Sequence, residues 1–167
     1  MTDVRVKTDY SNISKLTGMD IYYRDTEAGV IKAKFLAKEA FTNSIDNVQG
    51  GMLTVMLDDL MGYALGITMP LDEFAPTANL NVSFLRPVAV GELHGEGRVL
   101  KCDGDIYYLA AKLYNSDGNI VASATAKAKR GAIVQAPYLG AWKLVKADVL
   151  TLLGSYNPLS LMMKSSD

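Results

Sequence analysis

Gln49-Gly50-Gly51-Met52-Leu53-Thr54-Val55-Met56-Leu57-Asp58-Asp59-Leu60-Met61-Gly62-Tyr63-Ala64-Leu65 is the stretch on which the reading of this chain turns. From residue 52 to residue 67 the side chains are apolar or small almost all the way round. A helix of that pattern has no solvent face and has to be covered on every side. Yet Asp58 and Asp59 stand in its middle, and carboxylates are seldom buried without a partner or a purpose. Two glycines precede the helix, where a ligand or another backbone can come close to the unpaired N–H groups of its first turn. The combination marks a candidate active site, and the rest of the chain reads as its enclosure.

Working outward, residues 30–38 alternate with a period of two. Ile31, Ala33, Phe35 and Ala37 fall on one face and Lys32, Lys34 and Lys38 on the other, with Leu36 the exception. Pro70 stops the helix. Beyond it, Leu80, Val82 and Phe84 share one face of a strand over 79–85, closed by Arg86-Pro87. Residues 92–100 alternate again, with Leu93, Gly95, Gly97 and Val99 inward, and 101–105 reads as a hairpin turn. Residues 106–114 form a more apolar strand, suited to a central or interface position, and 115–118 a second turn. In 119–130 a row of alanines, Ala122, Ala124, Ala126 and Ala128, suits close approach of a bulky partner, for which the apolar helix is the candidate. Four antiparallel strands after one long helix and one before it predict an α+β architecture with a sheet curled around the helix. Nearer the N-terminus, 12–16 reads as a short helix stopped at Gly18 and 19–23 as a possible strand. Residues 1–136 are expected to form the domain. Residues 137–167 are expected to form a helical C-terminal extension, from the amphipathic spacing of Leu139, Trp142, Leu144, Val145 and Val149.

Composition narrows the function. The 167 residues carry 17 basic and 18 acidic side chains, a net charge of −1 that gives no reason to expect nucleic acid or a membrane surface as partner. A single cysteine, Cys102, excludes an intrachain disulfide and a cysteine-based zinc cluster. No metal or redox cofactor is expected. The N-terminal residues lack the apolar core of a signal peptide and no apolar run is long enough to span a membrane, so the expectation is a soluble cytoplasmic protein.

The order strand, Gly-Gly, Asp-bearing helix, then Thr77-Ala-Asn-Leu-Asn-Val-Ser-Phe84-Leu-Arg86-Pro87-Val-Ala-Val-Gly91 resembles the hotdog-fold thioesterases, and most of all the phenylacetate-type and thioesterase superfamily member 2-like acyl-CoA hydrolases. The resemblance covers roughly residues 28–130. It implies a hotdog fold, hydrolysis of acyl- or aroyl-coenzyme A thioesters, and a homodimer or homotetramer with the site at the subunit interface. The family's His-Gly-Gly falls on Gln49-Gly50-Gly51, its carboxylate on Asp58, its Asn on Asn43 and its Ser or Thr on Thr77. Phe84, Arg86 and Pro87 match the strand end near which coenzyme A lies in relatives; Gly50 and Lys101 join them as substrate-binding candidates. Gln49 departs from the family's His and cannot carry a proton charge, although it can donate a hydrogen bond. Asp46 stands where a Gly is often found.

Thioester hydrolysis requires a polarised carbonyl and an attacking oxygen. Unpaired amides near Gly50 to Met52, helped by the helix dipole, suit a developing oxyanion. Asp58 follows Gly51 by about two turns, or ~10.5 Å at ~1.5 Å per residue. That separation is why the family's arrangement, in which the opposite protomer completes the site, matters here. Asp58 then serves as general base on water or as nucleophile, a choice the residues leave open. Asn43, Gln49 and Thr77 position water or carbonyl on this reading; each also suits a purely loop-stabilising role. From spacing alone, Asp58 is open between a structural buried acid and a reactive one. Asp59, ~100° round the helix, is taken as a hydrogen-bonded or rim residue. His94, the single histidine, shares the polar parity of Glu92, Glu96 and Arg98 and reads as solvated, which disfavours a Ser-His-Asp triad and a hotdog dehydratase. The methionines at 52, 56, 61 and 69 read first as core packing. The rival of another class is a non-catalytic acyl-CoA or fatty-acid binding module on the same fold, which Gln49 favours and Asp58 disfavours.

Overall fold

The computed structural model describes residues 10–70, 73–135 and 142–144. Its order is α1 (Asn12–Leu16), β1 (Asp20–Asp25), β2 (Val30–Ala37), a 3-10 turn (Glu39–Phe41), α2 (Gly50–Gly66), β3 (Glu73–Phe74), β4 (Thr77–Phe84), β5 (Gly91–Asp103), β6 (Ile106–Tyr114), β7 (Ile120–Lys129), β8 (Gly131–Gln135) and β9 (Trp142–Leu144). Six strands make one antiparallel sheet in the order β1-β2-β5-β6-β7-β4. The sheet curls round α2, the arrangement that gives the hotdog fold its name.

The period-two pattern places the core as expected. Ile31, Ala33, Phe35, Ala37, Leu93, Leu109, Ala111, Leu113 and the four alanines of β7 are buried beneath α2, while Leu36 is exposed. The helix sinks deepest over β5, not over the alanine row. A Cβ on Gly97 would lie 2.2 Å from the Leu60 carbonyl oxygen, and one on Gly95 2.5 Å from a Leu60 methyl. Leu60 itself is fully buried, a side chain whose burial contributes roughly 1.5–3 kcal/mol.

Several expectations need correction. Residues 20–25 form a full strand, so two strands precede the helix and β1 becomes one edge of the sheet. Of the two positions left open for residues 106–114, central or interface, the structure takes the central one: β6 is hydrogen-bonded on both sides, and the second open edge is β4. Trp142–Leu144 falls inside the predicted C-terminal helix but is a strand paired with β8, which in turn pairs with β3. The remainder of that predicted extension lies outside the described residues. The small sheet is fastened to the large one by Arg130, whose guanidinium meets Glu73 at 3.3 Å and the Tyr107 hydroxyl.

The helix, too, is not covered on every side. Leu53, Met56, Leu57, Leu60, Met61, Ala64 and Leu65 make its closed face. Gly51, Gly62 and Gly66 are exposed, with nothing among the described residues within 4 Å of where a Cβ would stand, and Val55 lies between them half-buried. The stripe runs at helical spacing along one side, so among the described residues α2 has an open face.

Candidate active site

The chain enters α2 by a fixed path. Val48 N–H donates to Val88 O at 2.7 Å and Gln49 N–H to Phe41 O at 2.8 Å, which stitches the loop before the helix to the segment after β4. Upstream, the Asn43 side-chain oxygen accepts from the amides of Ile45 and Asn47 at 3.0 and 3.2 Å. Asn43 therefore shapes its own turn, in which Asp46 adopts φ 58°. That left-handed conformation explains why the corresponding position tolerates glycine well.

Gln49 sits at the N-cap with extended backbone but no side-chain cap, and its side chain is exposed. Its carbonyl accepts from Met52 N–H at 2.8 Å and Leu53 N–H at 3.3 Å. The Met52 amide is thus engaged, which removes it from the expected oxyanion donors. The amides of Gly50 and Gly51 have no backbone acceptor among the described residues and lie at the positive end of the helix dipole.

A cleft of about 400 Å³ opens beside this terminus, lined by Val48, Gly50, Leu53 and the run from Phe84 to Val88. The Phe84 ring lies over Gly50, 3.0 Å from where a Cβ would stand, and is 55% exposed on its other side. Arg86 is held at the rim by donating to Ile120 O. Lys101 stands apart: it is on the arm of the β5–β6 hairpin, with its ammonium 4.5 Å from the Tyr108 ring centroid, and it does not line the cleft.

Asp58 lies two turns along α2 from Gly51, on the same side of the helix and bordering the open stripe. It is half-buried, and Thr77 Oγ1 donates to its Oδ1 at 2.9 Å. Thr77 begins the open edge strand β4. The carboxylate and the threonine, 19 residues apart, are brought together; neither lines the cleft of its own chain.

Asp59 points away from the stripe on its other flank. Ser14 Oγ, on the fully buried Ser14 of α1, donates to Asp59 Oδ2 at 2.8 Å, and the Tyr63 hydroxyl is 3.2 Å from the same Oγ. Burial pushes the Asp59 carboxyl above its ordinary range; the Ser14 hydrogen bond acts against this, and the neighbouring Asp58 charge adds to it. The role of Ser14 was not legible from sequence, because no local pattern announces a contact spanning 45 residues. His94 lies on the outer face of the sheet, 3.1 Å from Glu92 and edge-on to Tyr22, remote in role from these groups.

A curled antiparallel sheet wrapped round one helix, with a carboxylate on that helix and unpaired amides at its start, defines a hotdog-fold protein. The family model of the thioesterase superfamily matches residues 46–122, from the turn before the helix into β7. A phenylacetic acid degradation-related protein of Ralstonia eutropha is 34% identical, with a TM-score of 0.71 over 75% of this chain and 94% of its own. The chain therefore belongs to the thioesterase superfamily, whose chemistry is thioester hydrolysis. The fold is shared as well with the PaaI protein of the Escherichia coli phenylacetic acid degradation operon, at 22% identity, a TM-score of 0.67, and 73% and 86% of the two chains. It is shared again with a thioesterase of Haemophilus influenzae at 12% identity, a TM-score of 0.67, and 75% and 86% coverage. No curated protein sequence gives a significant match. No helix among the described residues is long and apolar enough to cross a membrane.

Proposed function

We propose that the protein hydrolyses acyl- or aroyl-coenzyme A thioesters, with Asp58 as the reacting carboxylate and the Gly50 and Gly51 amides as the oxyanion site. The observation that carries the reading is the placement of Asp58: it borders the open stripe of α2, on the same side as Gly51, and Thr77 orients it. The kinship with a phenylacetic acid degradation-related protein favours an aromatic or other compact acyl group. The thioester carbonyl would sit against the helix start, its acyl group in the apolar cleft between Leu53, Phe84 and Val88, with Arg86 at the mouth for the coenzyme's phosphates. As water or the Asp58 carboxylate attacks the carbonyl carbon, negative charge passes to the carbonyl oxygen, where the two amides receive it. Where Asp58 is the base, it takes the proton of the attacking water and the departing thiolate receives it. Where Asp58 attacks, the thiolate leaves a mixed anhydride on Asp58, and a water then hydrolyses it to the free acid, regenerating the carboxylate and supplying the proton.

The ~10.5 Å between Gly51 and Asp58 is too long for one helix to supply both groups to one carbonyl. A cytoplasmic homodimer or homotetramer resolves this, each Asp58 serving the cleft of its neighbour. The open stripe of α2 and the unpaired edge of β4 are the surfaces available for such pairing, since an unpaired strand edge favours further strand addition. Gln49, exposed beside the helix start, would donate its amide to the carbonyl or to water, the part of a histidine's task that needs no charge. Asn43 acts one step back, by shaping the turn that presents Gln49.

The test is turnover of acetyl-, hexanoyl-, palmitoyl- and benzoyl-coenzyme A, followed with a thiol reagent. The expected outcome is release of coenzyme A from at least one, falling by ~10²–10⁴-fold in Asp58→Asn, the range for loss of a general base. Tight binding of the panel without turnover would favour the second reading, an acyl-CoA binding module, to which the exposed Gln49 lends its support.

A further inference from the structure

We propose that Asp59 is a positioning residue for the reacting carboxylate: through Ser14 it clamps helix α1 onto the turn of α2 that carries Asp58. The inference rests on Asp58 being that carboxylate, the reading given above.

The two acids are consecutive and ~100° apart on the helix, one on each flank of the open stripe. Asp58 is tied on its flank to the edge strand through Thr77 at 2.9 Å. Asp59 is tied on the other to α1 through Ser14 at 2.8 Å. The turn is thus held from two directions by groups on different elements, and rotation of α2 that freed one carboxylate would break the bond of the other.

The hydroxyl network behind Asp59 has a defined direction. Ser14 N–H donates to Ser11 Oγ at 3.1 Å, and Ser11 Oγ and Ser14 Oγ are 2.7 Å apart. Ser11 N–H donates to the Tyr63 hydroxyl at 3.2 Å, which in turn lies 3.2 Å from Ser14 Oγ. With Ser14 Oγ donating to Asp59, the Ser11 and Tyr63 hydroxyls can both donate to Ser14 Oγ, so the network ends on the carboxylate as its acceptor. Tyr63 is one turn beyond Asp59 on α2, and its ring stands edge-on to Tyr10, whose hydroxyl accepts from Ile21 N–H at 2.8 Å. The network therefore links the segment before α1, α1 itself, β1 and the middle of α2. A merely core-filling α1 would need no buried serine. Burial of a hydroxyl is disfavoured unless it is bonded, so Ser14 at 0% exposure implies a partner that the fold maintains. The raised proton affinity of Asp59 is consistent with a carboxylate enclosed on this flank, with Asp58 the charged group acting on it.

The experiment compares Ser14→Ala, Asp59→Leu and Asp59→Asn in the full-length protein. Asp59→Asn keeps an acceptor for the Ser14 hydroxyl; the other two remove the bond. Steady-state kinetics use the fastest member of the acyl-coenzyme A panel, and carbon NMR follows the Asp59 carboxyl titration in the wild type and in Ser14→Ala. The expected result is an upward move of the Asp59 midpoint in Ser14→Ala, since the bond that lowers it is gone. With it, kcat should fall about tenfold in Ser14→Ala and Asp59→Leu, short of the ~10²-fold that a 1 Å misplacement can cost. KM should change less than about twofold and Asp59→Asn should retain most of kcat. An unmoved midpoint would show that the clamp does not exist. A moved midpoint with unchanged kcat, or an Asp59→Asn as slow as Asp59→Leu, would remove the positioning role while leaving the hydrolase reading intact. Full activity in Asp58→Asn would instead overturn that underlying reading, whatever Ser14→Ala does.

Discussion

The closed and open faces of α2 use the same residue for opposite ends. On the closed side the glycines belong to the sheet: Gly95 and Gly97 of β5 clear space for Leu60, and the helix backbone descends until its Leu60 carbonyl stands where a Gly97 side chain would be. On the open side the glycines belong to the helix: Gly51, Gly62 and Gly66 have nothing above them among the described residues. Glycine costs a helix interior about 1 kcal/mol relative to alanine; Gly62 stands in that interior with no contact among the described residues to offset the cost, while Gly51 and Gly66 lie in the first and last turns. The contrast teaches that the closed face is accounted for by contacts within the sheet, whereas among the described residues nothing packs on the open face, and Asp58 and Asp59 mark its two borders.

That comparison can be attacked directly. The largest stability effect is expected at Gly97→Ala, where the new methyl meets backbone, which cannot swing aside. Denaturant unfolding should show a loss of about 3 kcal/mol, the upper part of the usual overpacking range. Gly95→Ala meets the end of a flexible leucine and should cost nearer ~1 kcal/mol; equal losses would show that the helix does not sit deepest over Gly97. A smaller effect concerns pH. The folded state holds the Asp59 proton more tightly than the unfolded chain does. In the window from the ordinary aspartate value of 3.8 up to the raised folded midpoint, the folded state therefore binds more protons, and stability falls as pH rises. Asp59→Asn should lose that part of the slope in urea melts collected across the window, and an identical slope would contradict the enclosure of this flank. The smallest effect is expected on the open face. If no subunit packed there, Gly62→Ala would raise stability by ~0.5–1 kcal/mol through helix propensity alone. With a partner against the stripe, the added methyl should weaken association, read as a rise in the dissociation constant by analytical ultracentrifugation.

What sequence reveals of this molecule follows the range over which each signal acts. Alternation in 30–38 and 119–130 is a local signal, and the buried residues Ile31, Ala33, Phe35 and Ala122 to Ala128 lie where it puts them. The apolar helix and its two acids were equally plain, and the hotdog resemblance followed from spacing around them. Strand order is different in kind. The apolar character of 106–114 was compatible with a central or an interface strand, and pairing on both sides decides for the centre. The open stripe escaped notice because glycine counts as small in either setting, and composition does not say whether a small residue faces a neighbour or space. Asn43 as a turn-former and Met52 as an engaged amide depend on hydrogen bonds within a few residues, yet both need the backbone path to be known. Trp142–Leu144 shows the opposite failure: a short amphipathic spacing suited a helix, but pairing with β8 prevailed. Lys101, chosen for its charge, proves to stack on Tyr108 outside the cleft.

The central claim is that Asp58 acts on a thioester held at the helix start of a second copy. Subunit complementation tests it most directly. Asp58→Asn and Gly51→Leu, each expected to be inactive alone, are unfolded together, refolded as a mixture and assayed against the acyl-coenzyme A panel. If each site draws one group from each subunit of a two-fold dimer, mixed dimers contain one site with both groups intact, and random pairing should restore about a quarter of wild-type turnover. A mixture in which mixed dimers form but activity stays at the level of the separate variants would contradict the shared site.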